Sequence, residues 1–203
     1  MTSKGKNFSC NNTGKRKASD FYETPYSMTE QLLNRELFDL NGTTLEPACG
    51  KGAITYVLEK HGFRQITSYD KERDFLKEKN TFSQIITNPP FSLAFEFIQH
   101  AKLVAETKFA LLLPLSYLHG KRRLDEIYSD ELFPLARVYV FCRYPLLGDA
   151  LRKDGKYRTG MMVYAWFVWD KQHKSNPHIL WLDNQKFVLS KKDAALAGDS
   201  HDQ

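Results

Sequence analysis

The chain has 203 residues, 29 Lys and Arg against 24 Asp and Glu, 42% hydrophobic and 13% aromatic residues, and a formal charge of +5. That size suits one globular domain that buries its core without disulfide or metal staples, and the aromatic content excludes a disordered chain. The charge excess is local. Residues 1–19 hold Lys4, Lys6, Lys15, Arg16 and Lys17 and no acid; without these five the chain carries 24 charges of each sign. The pI near 9.0 therefore belongs to a basic tail and does not by itself define a basic folded surface. Cys10, Cys49 and Cys142 are odd in number and form no C-x-x-C pair, so neither a disulfide framework nor a zinc ribbon is indicated. A reducing, cytoplasmic setting is expected. The longest apolar runs, 109–113 and 161–169, fall short of the roughly 18–20 residues that span a bilayer, and no membrane partner is expected.

Taken in chain order, Thr24-Pro25 opens a helix, with Thr24 as cap and Pro25 at the first helical position. Met28, Leu32, Leu33, Leu37 and Phe38 recur at helical spacing until Asn41-Gly42 ends the element. Strand and helix then alternate: a strand at 43–45, a glycine-containing loop, a helix at 53–61, a strand at 63–69, and a strand at 85–87 stopped by Asn88-Pro89-Pro90. Ser92 is positioned to cap a helix running to about 107. The apolar run 109–113 has the pattern of a strand covered on both faces. A helix at 121–132 and strands at 136–142, 161–169 and 179–182 complete the chain. Residues 143–160 read as a long basic loop, with Arg143, Arg152, Lys153, Lys156 and Arg158 against Asp149 and Asp154. This alternation predicts an α/β domain, a mostly parallel sheet with helices on both faces and ligands at the carboxyl ends of its strands.

Two strand ends carry unusual chemistry. In Glu46-Pro47-Ala48-Cys49-Gly50-Lys51-Gly52 the glycines let the backbone turn and approach a ligand at the start of a helix. A glutamate there repels a pyrophosphate but can hold a cation such as an ammonium. The run is not a phosphate-binding P-loop, since Gly52 follows Lys51 where Ser or Thr is required. In Asn88-Pro89-Pro90-Phe91 the prolines fix the backbone, so that the Asn88 amide and the Pro89 carbonyl are two rigid acceptors at a strand end. Two acceptors aimed at one point suit a planar exocyclic amine, and Phe91 supplies a face on which its ring can stack.

On these residues the chain, over about 20–182, resembles the class I S-adenosylmethionine-dependent amino-methyltransferases, most closely the adenine-N6 DNA methyltransferases of phage and plasmid type. Asp20-Phe21-Tyr22-Glu23-Thr24-Pro25 resembles their N-terminal cofactor motif, residues 46–52 their cofactor loop and residues 88–91 their catalytic motif. The resemblance implies a single Rossmann-like methyltransferase domain at 20–189 between a basic flexible tail at 1–19 and a flexible tail at 190–203. It implies S-adenosylmethionine as cofactor, no metal, and DNA as partner, with RNA as a second substrate class. Tyr22, Thr24 and Pro25 would line the methionine end of the cofactor, and Glu46 would face its ammonium, with Pro47, Ala48, Cys49, Gly50 and Gly52 forming the loop. Asp70 would bind the ribose; Asp74 and Phe75 would hold the adenine moiety. Only three residues separate Asp70 from Asp74, so the helix and strand that usually intervene are missing or displaced, and the division between these carboxylates stays open. Asn88, Pro89, Pro90 and Phe91 would be catalytic. Nucleic-acid contact is expected of Arg122 and Arg123 and of the 143–160 loop through Arg143, Arg152, Lys153, Lys156 and Arg158. Cytosine-N4, RNA adenine or a protein glutamine amide are alternative acceptors, and an inactive methyltransferase-fold binding module is the alternative of another class.

Overall fold

A computed structural model of the protein describes residues 24–142 and 163–182. Both tails, the whole 143–160 basic loop and the site candidates Tyr22, Arg143, Arg152, Lys153, Lys156 and Arg158 lie outside the described residues. The elements are α1 (Tyr26–Leu33), β1 (Thr43–Glu46), α2 (Ala53–Lys60), β2 (Gln65–Ser68), β3 (Phe82–Thr87), α3 (Ala94–Val104), β4 (Ala105–Pro114), α4 (Lys121–Arg123), β5 (Leu135–Phe141), β6 (Tyr164–Asp170) and β7 (His178–Leu182). The strands form one sheet in the order β2-β1-β3-β4-β6-β5-β7. Only β6 runs against its neighbours, β4 and β5; the other pairs are parallel.

The central strands are buried on both sides, and their two-residue period sorts side chains between two cores. Phe109, Leu111 and Leu113 of β4 join Ala165, Phe167 and Trp169 of β6 on the face covered by α3, with Phe97, Ile98 and Ala101. Ala110, Leu112, Trp166 and Val168 face the other way, against Met28 and Leu32 of α1 and Ile54 and Leu58 of α2. Register matches packing: Phe109 pairs with Trp169 across the antiparallel ladder, and their rings stack 4.7 Å apart. The expected two-faced α/β sheet is therefore present.

Local differences from the sequence reading have physical causes. Helix α1 stops at Leu33, well before Asn41, because Glu36 is drawn down to the sheet. There it accepts from Lys108 Nζ at 2.6 Å, Arg137 Nη2 at 2.9 Å and Tyr139 Oη at 2.9 Å. Leu37 is left exposed and Phe38 packs on Phe63. Ser92 does not cap α3: residues Phe91–Leu93 form a tight turn first, and the helix starts at Ala94. The expected helix at 121–132 is a single turn, Lys121–Arg123, followed by a wider turn over Leu124–Tyr128 in which Ser129 N–H reaches back to the Leu124 carbonyl at 2.9 Å.

Asp170 completes the ion cluster around Glu36, accepting from Arg137 at 2.8 Å with Lys108 Nζ 3.4 Å away. Burial pushes its carboxyl pKa up, but the Arg137 hydrogen bond, the Gln172 N–H and the nearby cations outweigh this and hold it below the ordinary value of 3.8. A carboxylate whose native pKa is depressed contributes its full stability above its unfolded pKa and loses it as the pH falls through the native value. The urea midpoint should therefore fall on acidification below about pH 4. Asp170→Asn should lower stability at pH 7 by about 2 kcal/mol and weaken that acid response, as read by denaturant titration at both pH values.

Candidate active site at the β1 and β3 strand ends

The chain leaves β1 through α2 to reach β2 on one side and later enters β3 on the other. Connections diverging from neighbouring parallel strands open a crevice beyond their carboxyl ends. Glu46 ends β1 and Asn88 follows β3, and the pairing of Leu45 with Ile85 places the two on adjacent strands, two residues apart in height. The two candidate motifs, 36 residues apart at their nearest positions by sequence numbering, thus meet at one edge of the sheet.

The loop after β1 is held from both ends. Tyr69 N–H donates to the Glu46 carbonyl at 3.1 Å and Cys49 N–H to the Tyr69 carbonyl at 3.0 Å, which ties the loop to the end of β2. Gly50 and Gly52 adopt φ of 54° and 83°, the left-handed region that side-chain-bearing residues avoid. Gly52 caps α2, and a Cβ built there would meet no atom within 4 Å, so the helix start faces open space. Pro47 is buried, Ala48 packs partly against the core, and Lys51 is exposed.

Glu46 is only 1% exposed. The Thr55 hydroxyl donates to its Oε2 from the first turn of α2. Desolvation pushes its pKa up to about 7; the Thr55 side-chain and backbone hydrogen bonds oppose this, and the charge of Asp70 adds to it. The Cys49 thiol is raised in the same field, first by burial and then by Glu46, Asp70 and Glu72. Both groups therefore resist ionisation in the crevice.

Asn88 is half-buried, and its Nδ2 donates to Thr24 Oγ1 at 3.0 Å. Thr24, expected as a helix cap, makes no such contact: α1 begins after Pro25 without a side-chain cap. The Pro90 carbonyl accepts from Leu93 N–H at 2.9 Å, which folds the chain tightly behind Pro89 and Pro90. Phe91 is half-buried and leans on Tyr164, the first residue of β6, with ring centroids 5.2 Å apart.

The structure gathers Thr24, Pro25, residues 46–52, Asp70 and residues 88–91 around the carboxyl rim. It separates Asp74 and Phe75 in character. Asp74 is exposed, accepts from Leu76 N–H at 3.1 Å and pairs with Lys77 at 3.2 Å, and these contacts hold its pKa down. Phe75 is 3% exposed, packed against Phe97 and His100 at 4.8 and 4.9 Å, so its ring belongs to the core. Arg122 pairs with Glu126 at 2.9 Å and lies over Phe95; Arg123 lies over Tyr117. Such exposed pairs are weak and exchangeable. Residues Phe141 and Tyr164, which flank the basic loop on the described side, both lie at this same rim, since β5 ends and β6 begins there. Thr55 and Tyr164 were not singled out by sequence. A hydroxyl in the first helical turn after the glycine loop was the available signal for Thr55, whereas Tyr164 reaches Phe91 only through the antiparallel return of β6.

A mostly parallel sheet with one reversed strand and helices on both faces is a fold this chain shares with solved structures described as methyltransferases. A protein of Pyrococcus horikoshii provisionally assigned as an RNA methyltransferase is similar at 15% identity and a TM-score of 0.57, over 74% of this chain and 86% of that one. A Listeria monocytogenes protein provisionally assigned as a class I S-adenosylmethionine-dependent methyltransferase is 12% identical with a TM-score of 0.53, over 87% and 68%. The M protein of the type I restriction enzyme EcoKI is 13% identical with a TM-score of 0.53, over 79% of this chain and 46% of that one. No protein-family profile matches the sequence, and no curated protein sequence matches it.

A raised carboxyl pKa has a cost that appears as the pH rises. Above about pH 4.5 the unfolded Glu46 is ionised, while the native group resists ionisation until about pH 7. Glu46→Gln should therefore stabilise the unliganded protein by an amount that grows from pH 5 to pH 8, to on the order of 3 kcal/mol. Calorimetric unfolding of both forms across that range checks it.

Proposed function

We propose that the chain is an S-adenosylmethionine-dependent methyltransferase that methylates the exocyclic N6 amine of adenine in DNA. The observation that carries this reading is the convergence of a buried Glu46, beneath the open start of α2, with the rigid Asn88-Pro89-Pro90-Phe91 turn on the adjacent strand. The residues fit the cofactor: Glu46 is a buried carboxyl that its ammonium would draw into the ionised form, Gly50 and Gly52 leave room for its methionine part, and half-buried Asp70 stands beside them for the ribose hydroxyls. Asp70 is preferred to Asp74 because Asp74 spends its oxygens on its own turn and on Lys77.

When bound, the cofactor supplies an electrophilic methyl group on a sulfonium. Asn88 Oδ1 and the Pro89 carbonyl accept the two N–H bonds of the target amine and leave its lone pair directed at the methyl carbon. Methyl transfer would leave the demethylated cofactor as a neutral thioether, while Asn88 and Pro89 hold the amine and its surplus proton passes to water. Phe91, braced by Tyr164, stacks on the base, which offsets part of the few kcal/mol needed to take it out of a duplex. Positioning and electrostatics account for the rate, without a covalent enzyme intermediate. The likeness to the EcoKI M protein supports DNA as substrate; that to the Pyrococcus protein supports RNA as the second substrate class. Arg122, Arg123 and the basic 143–160 loop would contact phosphates, and the tail at 1–19 would add salt-sensitive affinity.

Incubation with methyl-labelled S-adenosylmethionine and separate DNA, RNA and protein acceptors, followed by nucleoside analysis, should yield N6-methyladenine from DNA. Label confined to RNA selects the second reading, and binding without transfer to any acceptor selects an inactive module. Asn88→Ala should keep cofactor affinity within about threefold while transfer falls at least about 100-fold.

A further inference from the structure

We infer that Thr24 is a positioning residue for catalysis, holding the Asn88 amide so that its oxygen meets the target amine; this rests on the methyltransferase reading above. Thr24 is buried, and its Oγ1 accepts from Asn88 Nδ2 at 3.0 Å across 64 residues of sequence. An amide is an acceptor at one end and a donor at the other, and the two ends are interchangeable by a half turn. A target amine has only N–H bonds to offer, so Asn88 serves it with oxygen alone. The opposite orientation sets donor against donor. With the oxygen committed to the amine, Nδ2 needs an acceptor on its other side, and Thr24 provides it.

The threonine is itself held in place. Pro25 restricts the backbone that follows it, and the Pro25 carbonyl accepts from Met28 N–H at 2.9 Å to start α1. The Met28 carbonyl accepts from Trp166 Nε1 at 2.9 Å, which pins that helix to the centre of the sheet. The Thr24 backbone is therefore fixed relative to β3, and once the target amine selects the Asn88 oxygen, the hydroxyl holds the amide by its nitrogen. The bond matters most when the amine presses its N–H groups toward Asn88, so its loss should appear in turnover and leave cofactor affinity nearly unchanged. This role differs from the expectation from the family resemblance, in which Thr24 lines the cofactor.

The test compares full-length parent, Thr24→Val, Thr24→Ser and Asn88→Ala, using methyl-labelled S-adenosylmethionine with unmethylated DNA and with RNA, alongside cofactor affinity and thermal midpoint. Thr24→Val keeps the shape and removes the acceptor. It should lower kcat about 10-fold with cofactor affinity within about twofold, and Thr24→Ser should restore kcat to within about threefold. In the Asn88→Ala background Thr24→Val should cause no further loss. Unchanged kcat in Thr24→Val overturns the inference, as does a Thr24→Ser as slow as Thr24→Val, or a loss seen wholly in cofactor affinity. Full activity in Asn88→Ala, or no transfer by the parent to either nucleic acid, overturns the underlying reading instead.

Discussion

Everything at the carboxyl rim depends on one expensive contact: a glutamate buried at the end of β1 and held by Thr55 in the first turn of α2. Interior carboxylates are costly unless matched by charge. Here the Thr55 hydroxyl and N–H soften the cost without removing it, and Asp70 increases it. Among the described residues, no Lys or Arg is placed against Glu46, whereas the other deeply buried glutamates have their cations. Glu36 is met by Lys108 and Arg137, and Glu78 by Arg73. Glu46, left to a threonine, resists ionisation until about pH 7, and the proposed role for it is to meet a cationic ligand.

The remainder of the structure holds this charge in register with Asn88. β1 and β3 are neighbours because α2 carries the chain away to β2 and the short 70–78 connection brings it back. That connection lacks a further helix and strand, and is secured by its own contacts: Tyr69 Oη donates to Glu78 at 3.2 Å, and His100 meets the Glu78 carbonyl at 3.0 Å. On the other side β6, running against β4, brings Tyr164 to Phe91. The ion cluster of Glu36, Lys108, Arg137 and Asp170 sits toward the amino ends of β4 and β5, away from the crevice, and anchors the chain after α1.

Much of this was legible in the residues. Apolar runs and glycine or proline stops located the seven described strands within a few residues, most clearly β4 and β6, because strands covered on both faces have little freedom in composition. The two motifs were also readable, since proline and glycine constrain the backbone locally. What escaped was settled by partners distant in sequence. Leu37 and Phe38 fit a helical period, yet α1 ends at Leu33 because Lys108 and Arg137 attract Glu36. Thr24 has the composition of a cap, but Asn88 claims its oxygen. Phe75 occupies a position expected to face a ligand and fills the core beside Phe97 instead, a choice decided by α3 rather than by its own neighbours.

The most direct test of the central claim is equilibrium binding of S-adenosylmethionine between pH 6 and pH 8. A cation held by a carboxylate whose pKa lies near 7 should bind about 10-fold more tightly at pH 8 than at pH 6, and Glu46→Gln should bind weakly with no such dependence. Equal, pH-independent affinity in both forms, or no binding by the parent, would contradict it.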